Sequence, residues 1–243
     1  MEKKLTKMDA IYLTIIGILT LAVIGLSIWV IAIKKKQKEG WFEEYYADKC
    51  KSFEIQNANL SQGQIVFIGD SITDLFPLDS YFSSIPLATY NRGISGDITD
   101  GVLKRLKVCL YDIKPSKVVL MIGINDIDSG RTAKQVETNY RKILEEIKKN
   151  LPETQVYCMS LISQHKKIET YTVLRIANTI PTIMEANGYI QNLSQEFGYT
   201  YVDLFHATCD SENALIEKYS DDGLHLNANG FEAWTNVIKP YFE

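Results

Sequence analysis

Ile65-Val66-Phe67-Ile68-Gly69-Asp70-Ser71-Ile72-Thr73 is the stretch on which the reading of this chain turns. Four consecutive apolar residues, three of them β-branched, make a run the length of a buried strand. Gly69 then permits a tight exit from the sheet. Ser71 falls just past the carboxyl end of that strand, where open α/β sheets place their ligands. Taken alone, the stretch reads more simply as a polar turn closing a core strand. A serine there becomes a nucleophile only if a base and oxyanion donors converge on it.

Working outward, the pattern repeats. Strand-like runs follow at Thr89–Arg92, Val118–Ile122, Val156–Ser160 and Tyr201–Phe205. Helical patterns separate them at Gly101–Tyr111, Ala133–Asn150 and about Thr182–Phe197, and a last one runs from about Asn229 to Phe242. Such alternation predicts an α/β fold: a mostly parallel, five-stranded sheet covered on both faces. No internal repeat or low-complexity tract interrupts it.

The N-terminal part is different. Residues 10–33 carry no charged side chain and are rich in Ile, Leu and Val. About 20 such residues cross a bilayer as a helix. The run is longer than the apolar core of a cleavable signal peptide and ends without a small-residue cleavage pattern. It reads as an uncleaved transmembrane helix over residues 10–33, after an N-terminal tail at 1–9. Lys3, Lys4 and Lys7 flank one side; Lys34, Lys35, Lys36 and Lys38 flank the other. The positive-inside rule therefore leans only slightly, toward a cytoplasmic C-terminus. Residues 34–60 read as a basic link and an aromatic-rich helix over Trp41–Gln56. Its Trp41, Phe42, Tyr45, Tyr46 and Phe53 are expected to pack on their own domain rather than at the bilayer interface. Residues 61–243 remain as one domain with room for a sizeable core.

Residues 1–39 hold 7 of the 26 basic and 3 of the 30 acidic residues, which leaves residues 40–243 at a formal −8. That sign argues against a nucleic-acid partner, which requires a basic face. Cys50, Cys109, Cys158 and Cys209 form no Cys-x-x-Cys pair, so no zinc or redox motif is present. Cys109 and Cys158 are expected to be buried thiols.

Polar residues gather at the strand ends. The second strand is followed by Gly93-Ile94-Ser95-Gly96-Asp97, whose two glycines let a backbone N–H approach a ligand. The third is followed by Gly123-Ile124-Asn125-Asp126, with an amide donor in Asn125. Asp221-Asp222-Gly223-Leu224-His225 precedes the last helix. A carboxylate three residues before a histidine can reach Nδ1 while Nε2 faces elsewhere, the orienting arrangement of a hydrolytic triad. The chain has three histidines. His165, in Ser163-Gln164-His165-Lys166, is read as having no nearby carboxylate, and His206 as lacking the Asp-x-x-His spacing. His225 is the preferred base.

Gly-Asp-Ser-Ile-Thr at 69–73, Gly-Ile-Ser-Gly-Asp at 93–97, Gly-Ile-Asn-Asp at 123–126 and Asp-Gly-Leu-His at 222–225 resemble the four ordered sequence blocks of the SGNH hydrolases, the GDSL-type esterases and lipases. The resemblance covers about Gln64 to the C-terminus and shows no departure at the catalytic positions. It implies a three-layer α/β/α sandwich with a flavodoxin-like five-stranded parallel sheet. It further implies catalytic Ser71, Asp222 and His225, an oxyanion hole of Ser71, Gly96 and Asn125, and no metal or other cofactor. His165 is a candidate substrate-lining residue. Asp70 and Asp97 are expected to hold loops through backbone N–H groups. The preceding apolar helix lies outside the family pattern.

The leading expectation is a membrane-anchored serine esterase. It would remove short acyl groups, acetyl among them, from a carbohydrate or similar alcohol at the cell envelope, with its domain outside the cytoplasm. The alternative is a lysophospholipase or thioesterase acting on long acyl chains. A non-catalytic binding module is disfavoured by the intact Ser71, Asn125, Asp222 and His225. The connection Ile72–Ala88, with Pro77 and Pro86, leaves little chain to cover a long acyl tunnel. Its Leu75, Phe76, Leu78, Tyr81 and Phe82 are read as the buried side of that connection.

Overall fold

The computed structural model describes residues 7–165 and 173–243. Lys3 and Lys4 ahead of the apolar run, most of the expected N-terminal tail, and Lys166 beside His165 lie outside the described residues. Helix α1 (Lys7–Asn57) is continuous through the basic link. Apart from Gly40, that link is filled by Lys, Gln and Glu, which are good helix formers, and a single glycine, at about 1 kcal/mol, does not end the helix. Within α1, Ile15–Lys34 is long and apolar enough to cross a membrane. Leu21, Ile28 and Trp29 of this stretch are exposed. The second compact unit begins at Lys49, so the last turns of α1 belong to it.

In that unit follow β1 (Ile65–Gly69), α2 (Ser71–Asp74), α3 (Leu78–Phe82), β2 (Thr89–Gly93), α4 (Thr99–Leu106), β3 (Lys117–Met121), α5 (Ile124–Asp128), α6 (Ala133–Asn150), β4 (Gln155–Met159), α7 (Val173–Phe197), β5 (Thr200–Val202), α8 (Phe205–Thr208) and α9 (Ala228–Ile238). Among the described residues five strands pair in the order β2-β1-β3-β4-β5, all parallel. Every residue of β1 is buried, because a parallel sheet is covered on both faces. On one face Phe67 meets Phe76, Phe82, Trp234 and Phe242, bringing α3, α9 and the C-terminus together. On the other, α4 packs on α6 and α6 on α7. Tyr140 of α6 is buried there and donates to the Leu120 carbonyl of β3. The domain is the three-layer α/β/α fold expected from the sequence.

Boundaries differ where neighbours override local pattern. Strands β3 and β4 start one residue early because Lys117 pairs with Ile65 and Gln155 with Lys117. Helix α7 starts at Val173 rather than near Thr182 and carries Pro181 inside it. Proline lacks the N–H and crowds the preceding turn. Packing of the buried Ile183, Ile190 and Leu193 against α6 offsets that cost. Strand β5 stops at Val202, since Ser160 Oγ accepts the Leu204 and Phe205 N–H groups and Asp203 accepts that of His206. Helix α4 begins at Thr99 and passes into a π-helical turn over Lys107–Tyr111. The last helix ends at Ile238 and continues as a 3₁₀ turn to Tyr241.

Candidate active site

The sheet order sets β2, β1 and β3 side by side, so the loops 93–97, 69–73 and 123–126 leave the sheet together. In this order the connections diverge between β1 and β3, the crevice in which such sheets bind ligands. Ser71 opens α2, and Asp70 caps that helix by accepting the Ile72 N–H at 3.1 Å. Only four residues long, α2 must lie close to β2. A Cβ on Gly93 would overlap the backbone nitrogen of Asp74, so only glycine fits there.

Ser71 is 8% exposed. Its Oγ lies 3.0 Å from His225 Nε2, and His225 Nδ1 lies 2.6 Å from Asp222 Oδ2. The other Asp222 oxygen accepts the Leu224 and His225 N–H groups at 2.9 and 2.8 Å. Partial burial would raise the Asp222 carboxyl. The hydrogen bonds from His225 and from these two backbone groups outweigh that and bring it down to about 2. Asp222 is therefore a carboxylate at neutral pH, aimed at the imidazole. The His165 N–H donates to the Gly223 carbonyl at 2.8 Å, so His165 reaches this turn through its backbone. Its half-buried side chain stands at the same edge of the sheet.

The three loops that leave the sheet beside Ser71 carry three candidate donors. The Ser71 N–H is the first of α2 and has no acceptor within the helix. Gly96 adopts φ +84°, a conformation that a Cβ disfavours. One N–H of the Asn125 amide donates to the Asp97 carbonyl at 2.9 Å. That bond orients the amide and leaves its second hydrogen for a ligand.

The GDSL-like lipase/acylhydrolase family model matches residues 67–233. The platelet-activating factor acetylhydrolase IB subunit alpha1 of Bos taurus is 34% identical over 182 residues, 73% of this chain and 74% of that protein. The chain belongs to the GDSL-like lipase/acylhydrolase family. Among solved structures, a Streptococcus pneumonia protein described as a platelet activating factor superposes with TM-score 0.79 at 26% identity, over 87% of this chain and 99% of that one. An acetylxylan esterase from Geobacillus stearothermophilus shares the fold, with TM-score 0.60 at 18% identity over 75% and 94%.

This GDSL-like acylhydrolase is thus an ester-hydrolysing serine hydrolase. Asp70 and Asp97 accept the backbone N–H groups of Ile72 and Ile98, at 3.1 and 2.9 Å, as the sequence reading expects. The other polar residues that hold the three loops have no counterpart in that reading. Arg105 of α4 is fully buried. It pairs with Asp97 at 2.8 Å and donates to the Gly69 carbonyl at 2.8 Å and the Arg92 carbonyl at 2.6 Å. One guanidinium therefore ties the exits of β1 and β2 to the 93–97 loop, a geometry that its planar fork allows and a lysine would not. Its position on the Val102–Leu106–Cys109 stripe was the available signal. Asn91 spans α2 and β2, donating to the Thr73 carbonyl at 2.6 Å and accepting the Gly93 N–H at 2.8 Å. Asp126 accepts Thr99 Oγ at 2.6 Å and the Thr99 N–H at 2.9 Å. Burial raises the carboxyls of both Asp97 and Asp126, against their hydrogen bonds to Arg105 and Thr99 respectively.

One reading of the histidines needs correction. Asp203 stands three residues before His206, and its Oδ2 lies 2.6 Å from His206 Nδ1. The Asp-x-x-His spacing therefore occurs twice in this acylhydrolase. Spacing alone does not choose the base. His225 is the one that reaches Ser71, whereas the His206 side chain is 71% exposed.

Proposed function

We propose that this chain is a membrane-anchored esterase that hydrolyses short O-acyl esters, O-acetyl among them, of a carbohydrate or similar alcohol. Ser71 acts as nucleophile, His225 as general base and then acid, and Asp222 as the group that orients the imidazole. The observation that carries this reading is the hydrogen-bonded chain from Ser71 through His225 to Asp222, at 3.0 and 2.6 Å. His225 takes the Ser71 proton as Oγ attacks the ester carbonyl. The negative oxygen of the tetrahedral intermediate meets the N–H groups of Ser71 and Gly96 and the Asn125 amide. Each such donor is worth about 10²–10³ in rate. His225 then protonates the departing alcohol, and a water it activates cleaves the acyl-serine. His165, beside the Asp222–His225 turn, lines the substrate side.

Two observations favour short acyl groups. Phe76, Leu78 and Phe82 of the connection after Ser71 are buried in the aromatic core, so they do not wall an acyl groove. Leu75, expected on the same buried side, is instead 52% exposed, because the single turn of α2 ends there and turns it to solvent. The bovine relative named above is an acetylhydrolase subunit. The exposed apolar stretch Ile15–Lys34 supports the anchor, since water disfavours such a surface by about 25 cal/mol per Å².

The test is the full-length chain in detergent with p-nitrophenyl esters of rising length. Ser71→Ala should lose at least about 10³-fold in kcat with an unchanged thermal transition, and His165→Ala should move KM more than kcat. The kcat/KM profile should peak between acetyl and butyryl. A groove would add about 0.8 kcal/mol per CH₂, so an optimum at eight carbons or more would replace this reading with the long-chain one.

A further inference from the structure

The family match begins at residue 67, yet side chains ahead of it reach the loop that carries Gly96. Lys49 Nζ, in the last turns of α1, lies 2.6 Å from Asp74 Oδ1. Asp74 closes α2, the helix that Ser71 opens. Its other oxygen accepts the Ser95 hydroxyl at 2.8 Å and the Ser95 N–H at 3.2 Å. Ser95 is the residue bonded to Gly96. A second grip lies just before the same loop. Gln56 and Asn57 accept from the Arg92 guanidinium at 3.1 and 2.9 Å, and that group lies over the buried Phe53 ring, 4.7 Å from its centroid. The turns Lys49–Asn57 thus hold the 93–97 loop through Arg92 at its start and through Asp74 at its middle. The Lys49 and Asp74 side chains are 27% and 16% exposed, which shields the pair more than a surface ion pair.

We propose that Lys49 is a positioning residue for ester hydrolysis: it holds Asp74 on Ser95 and so sets the Gly96 N–H at the oxyanion. This rests on Gly96 being an oxyanion donor, as read above. Lys49 touches neither substrate nor reacting atoms. Its effect should fall on the transition state and not on substrate binding.

The experiment uses the full-length chain in detergent, with p-nitrophenyl acetate and a short-chain trifluoromethyl ketone. The ketone accepts Ser71 Oγ at its carbonyl carbon and carries an oxyanion where the tetrahedral intermediate does. Lys49→Met should lower kcat about tenfold, less than the loss of a whole oxyanion donor, which is worth about 10²–10³, with KM within about twofold and a matching loss of ketone affinity. Lys49→Arg should restore most of both, and Lys51→Met, at an exposed lysine of the same helix, should match the parent. Ser95→Ala should lose kcat in the same manner. Adding Lys49→Met to it should cost little more, because both break one chain of contacts. If Lys49→Met loses its thermal transition, Ser95→Ala and Lys49→Gln carry the same comparison. A parental kcat, a change confined to KM, or additive losses would overturn the role of Lys49. A fall in kcat with parental ketone affinity would overturn it too and leave the oxyanion reading standing. Parental ketone affinity in Asn125→Ala as well would mean that the oxyanion reading itself has failed.

Discussion

Asp70 precedes Ser71, is 1% exposed, and has one oxygen, Oδ2, with no hydrogen-bond partner among the described residues. Burial pushes its carboxyl up to about 7, with Asp97 and Asp126 adding to the effect and the Ile72 N–H and Arg105 opposing it. An unfolded chain holds such a group near its ordinary value of about 3.9. Between the two values the folded protein binds a proton that the unfolded chain has released. Stability from this group therefore falls as pH rises from about 4 to about 7. Asp70→Asn keeps an oxygen for the Ile72 N–H and removes the titration. Its urea midpoint should exceed the parent's by a margin that widens between pH 5 and 7 and is level above that. An equal margin at pH 5 and pH 8 would show that Asp70 titrates as an ordinary carboxylate. The two Asp-x-x-His pairs give a second contrast at this scale. His225→Ala should lose at least about 10³-fold in kcat, while His206→Ala should stay within about twofold of the parent. The reverse order would assign the base to the wrong pair.

At the scale of elements, the site depends on how α2 is held. Helix α2 is a single turn with little stability of its own. Asn91 and Asp74 fasten it to β2 and the 93–97 loop, and the chain that follows is anchored by Phe76. That ring stacks on Phe231 at 4.8 Å and lies 4.7 Å from Trp234, so α9 braces the connection from Ser71. Phe76→Ala should destabilise the domain by about 3–5 kcal/mol, the usual cost of emptying a buried aromatic position, as measured by the denaturant midpoint at constant slope. A loss under about 1 kcal/mol would mean that this cluster does not hold the connection. Helix α6 reaches the same loops through Asn139, which donates to Thr99 Oγ at 3.1 Å. Its N-terminus is capped by its own box, in which Thr132 Oγ accepts the Gln135 N–H at 3.2 Å and Gln135 Oε1 accepts the Thr132 N–H at 2.9 Å.

At the scale of the molecule, a domain anchored through Ile15–Lys34 stands on one side of the membrane. We propose that the domain lies outside the cytoplasm, where an envelope substrate would be met, against a slight excess of lysine after the apolar stretch. Protease added to intact cells should digest the domain while leaving a cytoplasmic marker whole. A domain protected until the membrane is broken would reverse the assignment. The formal −8 of residues 40–243 is compatible with either side and bears on partners instead, since a polyanionic ligand would be repelled.

The sequence by itself determined the architecture and the local chemistry. The buried run Ile65–Ile68, the alternation after it and the polar groups at the strand ends are properties of short segments, and short segments carry their own periodicity. Asp222 and His225 are three residues apart, so their contact was legible too. Tertiary structure decided what depends on distant residues meeting. Asp203–His206 has the same spacing as Asp222–His225, and only the fold, by bringing residue 225 to within 3.0 Å of residue 71, separates the two. Arg105, Asn91 and Lys49 carry no motif, because their contacts form only where α4, β2 and the last turns of α1 meet the loops beside Ser71. The course of α7 through Pro181 was hidden for the same reason: its local cost is written in the sequence, whereas the packing on α6 that offsets it exists only in the folded domain.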